Sequence, residues 1–188
     1  MSETPAVREG TPDDLPQIVA LLMPSLDTSI PGVTFSDAPI YATPGVVESR
    51  LRPRLFPPRT LKLYVLALPS TGEIVAYANV KPAPAEAQEY TGGFTLAADE
   101  QQDELDMFFV KAGMGGRGYG GLLLEAVQKD WIGRGGLQLH VFKKNARAIR
   151  FYEKFGFRSV PGGEVEWPLE LKVPREETAS LMSWKPSP

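Results

Sequence analysis

Apolar residues recur with two periods along this 188-residue chain, and each period predicts one type of element. A helical spacing begins at Leu15, directly after a Thr-Pro-Asp-Asp sequence that is typical of a capped helix start. Helices are predicted at 12–26, at 44–55, from 122 and from 146, and strands at 6–8, 61–68, 74–80, 107–110, 137–141 and 165–172. Pro24 and Pro53 predict a bend or an end in the first two helices.

The order β-α-α-β-β-β-α-β-α-β is compatible with an α/β (α+β) fold, in which helices flank a mixed, mostly antiparallel sheet. No repeat or linker divides the chain, so a single domain is predicted over residues 1–188. The polar segment 82–103 lacks periodicity, and a functional lid and a solvated insertion fit it equally well. The tail, 175–188, is polar and no strand or helix is assigned to it, although Trp184 is expected to dock on the body.

Composition excludes several kinds of chemistry. The chain has no cysteine, which excludes disulfides and a thiolate nucleophile, and its single histidine argues against a metal site. That histidine, His140, is expected to form hydrogen bonds between sheet and helix rather than to act in catalysis. A net charge of −3 argues against nucleic acid as a partner. No apolar run is long enough for a membrane span, so a cytoplasmic protein is expected.

Six glycines lie within residues 113–121, between the predicted strand 107–110 and a helix. A strand that ends in glycines and continues as a helix gathers free backbone N–H groups at the positive end of the helix dipole. The missing side chains let an anion approach the backbone. The loop therefore predicts a phosphate or diphosphate site, because a simple chain reversal needs fewer glycines.

Two well-known nucleotide-binding loops fit these residues less well. A P-loop ends in Gly-Lys-Ser/Thr, whereas Leu122 follows Gly121 here. A dinucleotide fingerprint drawn through Gly113, Gly115 and Gly118 lacks the acidic ribose partner expected about 20 residues further on. ATP and NAD therefore remain weaker alternatives.

A second motif follows the predicted strand 137–141. Its residues are Asn145, Ala148, Phe151, Tyr152, Gly156 and Phe157. Their order and spacing resemble the GNAT superfamily of acyl-CoA-dependent N-acyltransferases. The sequence Arg-Gly-Tyr-Gly at 117–120 also resembles the glycine loop of the superfamily's histone acetyltransferases. The two motifs cover about residues 105–160, and the rest of the chain agrees only loosely.

The resemblance implies acetyl-CoA as cofactor, held where the parallel strands 107–110 and 137–141 splay apart. The implied cofactor-binding residues are Phe109, Val110, Gly115, Gly116, Arg117, Gly118, Tyr119, Gly120, Gly121, Asn145, Ala148 and Tyr152. Backbone groups near Phe109 and Val110 would bind the pantetheine arm, and the Val110 N–H would bind the thioester carbonyl. The family usually has Arg or Gln where this chain has Gly115, which predicts weaker cofactor binding, with Arg117 and the backbone amides left to neutralise the diphosphate.

The resemblance also implies catalytic roles. Tyr152 corresponds to the general acid at the sulfur, and the alternative is a core tyrosine among Phe151, Phe155 and Phe157. Asn145 is implied to bind the pantetheine arm or the neighbouring backbone, and its alternative role is that of a helix N-cap. Glu104 lies where the superfamily's histone acetyltransferases have a glutamate base, with Asp106 or a water chain as alternatives. Strand alternation predicts that Glu104, Asp106, Phe108 and Val110 share one face.

The resemblance implies an N-acetyltransferase that moves an acetyl group to a primary amine by direct attack in a ternary complex. The alternative is a non-catalytic acyl-CoA-binding module. A small-molecule amine is favoured over a protein as acceptor, and both a monomer and a homodimer remain open. Acidic residues at an acceptor mouth would favour amines, and aromatic residues could form a wall there. The acidic candidates are Glu86, Glu89, Asp99, Glu100 and Asp103, and the aromatic ones are Phe35, Tyr41 and Trp167.

Overall fold

The computed structural model describes residues 4–83, 101–169, 171 and 175–186. Its strands are β1 (Ala6–Glu9), β2 (Lys62–Ala67), β3 (Ile74–Lys81), β4 (Asp103–Val110), β5 (Leu137–Phe142), β6 (Arg158–Leu169) and β7 (Arg175–Trp184). Its α-helices are α1 (Leu15–Leu26), α2 (Val46–Leu55), α3 (Tyr119–Trp131) and α4 (Ala146–Lys154). Short 3₁₀ helices lie at Pro12–Asp14, Phe35–Asp37 and Pro39–Ala42.

The seven strands form one sheet in the order β1-β2-β3-β4-β5-β7-β6. Neighbouring strands are antiparallel except for β4 and β5, which are parallel. The predicted mixed, mostly antiparallel sheet with helices on both faces is therefore confirmed. The one parallel pair lies in the middle of the sheet.

Each face of the sheet has its own apolar core. On one face, α1 and α2 pack against β2, β3 and β4 through Leu15, Ile18, Leu51, Leu55 and Tyr77, among others. On the other face, α3 and α4 pack against β3, β4 and β5 through Leu123, Val127, Trp131, Tyr152 and Leu139, among others. No helix within the described ranges is long and apolar enough to cross a membrane.

The start of the first helix follows the predicted capping pattern. The Asp14 carboxylate accepts a hydrogen bond from the Thr11 N–H at 2.8 Å and binds both terminal nitrogens of Arg8 at 2.7 Å. The expected interruption of α2 at Pro53 is wrong, since α2 continues to Leu55, just as α1 continues past Pro24. Each proline lies in the last turn of its helix, where one hydrogen bond is lost and little of the helix follows.

The prediction of a tail without a strand is wrong. β7 inserts between β5 and β6, and it buries Glu177, Ala179 and Leu181 at alternate positions. Ion pairs from Lys144 and Arg175 neutralise the buried Glu177 carboxylate. The alternation is thus real, but a charged residue fills one of its inward positions. β6 also starts earlier than predicted, and residue 172 lies outside the described residues.

Candidate active site

The glycine loop joins the end of β4 to the start of α3. Gly118 is the N-cap of α3 and has a left-handed φ of 82°, which a residue with a side chain adopts only with strain. No side chain caps the helix at this end. The first-turn N–H groups of α3 therefore remain available to an anion, as the sequence predicts.

Close packing explains other glycines of the loop. A Cβ at Gly121 would lie 3.1 Å from the Phe155 ring of α4, and a Cβ at Gly120 would lie 3.4 Å from the Phe151 ring. These two positions are glycine because the first turn of α3 lies against the aromatic face of α4. Packing against the aromatic rings is therefore a second reason for glycine at these two positions.

The two parallel strands separate shortly after they begin. Their register joins only Asp103 with Leu137 and Glu104 with Gln138. Further along, the Lys111 N–H donates to the Val75 carbonyl of β3 at 2.8 Å. Because successive N–H groups of a strand point to opposite sides, the Val110 N–H points away from β3, towards the gap beside β5. The splayed pair that the resemblance implies is thus present.

The second motif forms the start of α4 beside this gap. Asn145 is the N-cap of α4, and its side chain accepts a hydrogen bond from the Ala148 N–H at 3.1 Å. The Tyr152 side chain lies among the rings of Phe108, Phe151 and Phe157, with centroids 5.3–6.0 Å away. Burial raises the pKa of the Tyr152 hydroxyl, so the phenol is protonated at neutral pH. Asn145 is therefore an N-cap and Tyr152 a core tyrosine, and neither placement prevents the functional role.

A β-bulge in β4 overturns the predicted sharing of one face. Asn79 pairs with Met107 and Val80 pairs with Leu105, so Asp106 is an extra residue in β4. Glu104 and Asp106 therefore point towards α2, where they meet Lys81 of β3. The side chains of Phe108 and Val110 pack on the opposite face, against the core under α3 and α4.

Glu104 and Asp106 differ in how they are held. Arg54 of α2 binds both Asp106 oxygens, at 2.6 Å and 2.8 Å, and Lys81 lies 3.1 Å from one of them. Glu104 lies 3.4 Å from the Lys81 Nζ, and its side chain is 7% exposed. Burial opposes the charge on Asp106, but the Arg54 hydrogen bonds and the charges of Arg54 and Lys81 outweigh it and lower the pKa of Asp106 to about 2.

The low pKa of Asp106 predicts an acid-sensitive contribution to stability. Stability from Asp106 is present above its unfolded pKa of 3.8 and is lost as the pH falls towards about 2. Over that range the difference in free energy of unfolding between the wild type and Asp106→Asn, measured with urea, should decrease by about 2 kcal/mol. Asp130→Asn, which breaks an exposed ion pair with Lys62, is the matched control and should show a smaller change. A pH-independent difference for Asp106→Asn would contradict this result.

His140 does not form the predicted hydrogen bonds between sheet and helix. It lies on β5, opposite to Leu139 and Val141 as predicted, but neither buried ring nitrogen has a hydrogen-bond partner among the described residues. Its Nδ1 lies 3.9 Å from a Glu104 oxygen, and its ring centroid lies 5.7 Å from that of Trp167. The sequence predicted a core histidine with hydrogen bonds to its ring, whereas the described part of the structure gives this ring none and has it on the face that carries Glu104.

The predicted acidic mouth is only partly described. Asp103 does not belong to it, because its carboxylate accepts hydrogen bonds from Trp131 Nε1 of α3 and from the Ala83 N–H. The other four acidic residues of the insertion (Glu86, Glu89, Asp99 and Glu100) lie outside the described residues, as does most of the expected lid. The three residues of the predicted aromatic wall, Phe35, Tyr41 and Trp167, all line one cavity.

That cavity has a volume of about 1020 Å³ and reaches both faces of the sheet through the opening between β4 and β5. On the α4 side it is lined by Asn145, Ala148 and Tyr152. On the α2 side it is lined by Glu104, His140 and Trp167. The candidate residues of the two motifs and of the predicted base position therefore share one space.

One basic residue beside the glycine loop was not identified from the sequence. Arg147, in the first turn of α4, lies against Gly115, where a Cβ would be 3.3 Å from the guanidinium carbon. The sequence signal that could have identified Arg147 is a glycine at the loop position where the family usually has Arg or Gln, together with a basic residue at the start of the next helix.

Comparisons with known proteins agree with this geometry. The acetyltransferase (GNAT) family model matches residues 36–157. The ribosomal-protein-alanine N-acetyltransferase of Brucella melitensis has 21% identity and a TM-score of 0.63, over 95% of this chain and 98% of that one. The PaiA N-acetyltransferase of Thermoplasma acidophilum, in complex with coenzyme A, has 16% identity and a TM-score of 0.58, over 97% and 99%. No curated protein sequence matches the chain.

The family model and the structure cover the same features. The matched residues include α2, the antiparallel strands β2 and β3, the splayed strands β4 and β5, the glycine loop and α4. The match spans well over half of the chain, and the neighbouring structures share its fold. The chain therefore belongs to the GNAT family of acetyltransferases.

Proposed function

We propose that this protein transfers an acetyl group from acetyl-CoA to a primary amine by direct attack in a ternary complex. The single observation that carries the proposal is the cavity through the parted strands. One of its ends is lined by the motif residues Asn145 and Tyr152, and the other by Glu104 and His140. A cofactor entering from the α4 side and an amine entering from the α2 side would meet inside the sheet.

The fit of the described residues to coenzyme A supports this assignment. The uncapped N–H groups at the start of α3 suit the diphosphate, and Arg117 lies close to them in sequence. Gly116 and Gly118 leave the backbone open, since a Cβ at either would meet nothing within 4 Å, and the backbone of Gly115, Gly120 and Gly121 would also bind the diphosphate. Backbone groups of Phe109 and Val110 would bind the pantetheine arm in the way that an added strand does. Asn145 and Ala148 would flank that arm, and the Tyr119 side chain would flank the diphosphate.

The chemistry then follows from the two ends of the cavity. The amine nitrogen attacks the thioester carbon, and the Val110 N–H stabilises the oxyanion that forms. The new N–C bond replaces the C–S bond, the nitrogen loses a proton to the base, and the departing thiolate takes a proton or a hydrogen bond from Tyr152. Because the Tyr152 phenol is protonated, it suits the role of donor.

Glu104 is the base that we favour among the candidates. Asp106 has a pKa of about 2 and a bidentate bond from Arg54, which leave it a poor proton acceptor. Glu104 accepts no bidentate bond from the described residues: the Lys81 Nζ lies 3.4 Å from its carboxylate, and the His140 Nδ1 lies 3.9 Å away. A water chain leading to Glu104 is compatible with the same role.

The experiment is an assay of free thiol release from acetyl-CoA across a panel of amines. The panel would contain small amines, amino acids and peptides with free N-termini. A small amine is the favoured acceptor, and the peptides represent a protein acceptor. Acceptor-dependent thiol release is expected for at least one class. A non-catalytic acyl-CoA-binding module is the alternative, and it would bind acetyl-CoA without releasing thiol.

A thermal-shift screen tests the cofactor separately from turnover. A ligand at 100 times its Kd adds about 2.7 kcal/mol to the free energy of unfolding. Acetyl-CoA is expected to raise the Tm, whereas ATP and NAD at equal concentration are expected to leave it unchanged. A shift with NAD or ATP alone would overturn the cofactor assignment.

A further inference from the structure

A side chain of α4 fills the space beside the Cα of Gly115 in the glycine loop. If a Cβ were added to Gly115, it would overlap Nη2 of Arg147 and lie 3.3 Å and 3.4 Å from the Cζ and Nη1 atoms. Gly115 does not have a left-handed φ, so backbone conformation does not require glycine here. The Arg147 guanidinium therefore lies over the space that a side chain at position 115 would fill.

Arg147 has no counter-ion within the described ranges. The neighbouring cations are paired, Lys143 with Glu164 and Lys144 with Glu177, but none of the described acids reaches Arg147. Its side chain is exposed, yet it lies on the glycine loop rather than extending into solvent. An exposed guanidinium that lies on the glycine loop, beside the uncapped N–H groups of α3, suits an anion that binds both.

We propose that Arg147 binds the diphosphate of coenzyme A and replaces the cation that the loop lacks at Gly115. This inference rests on the proposed function and identifies a cofactor-binding residue on α4. A guanidinium presents several N–H donors in one plane, which suits two neighbouring phosphate oxygens. The absence of a cationic residue at Gly115 then does not weaken binding, because α4 supplies the charge from outside the loop.

Calorimetric titration with coenzyme A measures binding without turnover or an acceptor. Arg147→Ala should weaken the Kd about tenfold, since one charge-assisted contact at an exposed site is lost. Lys129→Ala is the matched control, because it removes a cation from the far end of α3, about 15 Å along the helix, and should bind as the wild type does. Alanine is a good helix former, so both variants are expected to fold.

A swap and a second ligand make the test specific. Gly115→Arg in the Arg147→Ala background puts the cation at the position usual in the family and should restore the Kd to within about threefold of the wild type. Dephospho-coenzyme A lacks the ribose 3′-phosphate but keeps the diphosphate, so Arg147→Ala should weaken its binding equally.

Three results would overturn the inference: wild-type affinity in Arg147→Ala, a loss that disappears with dephospho-coenzyme A, or a swap that restores nothing. If the wild-type protein itself binds no coenzyme A, the proposed function fails, and the inference fails with it. The two failures are distinguishable because only the second is visible without any variant.

Discussion

Gly118→Glu is expected to abolish measurable coenzyme A binding. Gly118 is the N-cap of α3 with a φ of 82°, so the new side chain starts from a strained backbone that costs about 1 kcal/mol. Its carboxylate would also lie beside the uncapped N–H groups and compete with the diphosphate for them. We expect the Kd from calorimetric titration to rise by more than about 100-fold, because both donors and charge are affected.

Two control variants separate charge at the site from strain. Gly45→Glu makes the same change at the N-cap of α2, where φ is 78° and a Cβ has open space, and it should leave coenzyme A binding intact. Gly118→Ala brings the strain without the charge, so it should weaken binding much less than Gly118→Glu. If Gly118→Glu binds as the wild type does, the glycine loop is not the diphosphate site.

Local chemistry is what made the backbone geometry of the glycine loop and of the α4 N-terminus predictable. A glycine run between a strand and a helix, and an Asn-x-x-Ala-x-x-Phe-Tyr sequence after the next strand, specify backbone geometry over a few residues. The structure has Asn145 as the N-cap of α4, one of the two roles expected for it, whereas α3 begins at Tyr119, with Gly118 as its N-cap, rather than at the predicted residue 122. Short-range rules suffice where each group's partner is close in the chain.

The arrangement around Glu104 and His140 depends on contacts between distant parts of the chain. The bulge at Asp106 reverses the face of every later residue of β4, and only the pairing with Asn79 and Val80 reveals it. The lack of hydrogen bonds at His140 depends on which residues β4 and β6 bring to it. Strand β7 escaped prediction because a neutralised Glu177 fills a core position. In each case tertiary contacts decide an outcome that the period alone cannot.

Tyr152→Phe is expected to lower kcat about 100-fold, the size typical of losing a general acid, while the Kd for acetyl-CoA stays nearly unchanged. The side chain is 8% exposed among Phe108, Phe151 and Phe157, and these ring contacts do not involve its hydroxyl. Phenylalanine keeps the same packing, so the Tm should stay within about 2 °C. Steady-state thiol release, with calorimetric titration of acetyl-CoA, separates the two effects.

Tyr77→Phe is the matched control for this prediction. The buried Tyr77 hydroxyl has no hydrogen-bond partner among the described residues, and Tyr77 lies on the α1 and α2 face and does not line the cavity. Removing an unpaired buried hydroxyl costs little stability, so this variant should keep both its Tm and its kcat. Should Tyr152→Phe turn over as fast as Tyr77→Phe, the Tyr152 hydroxyl takes no part in the reaction, and solvent must protonate the departing thiolate.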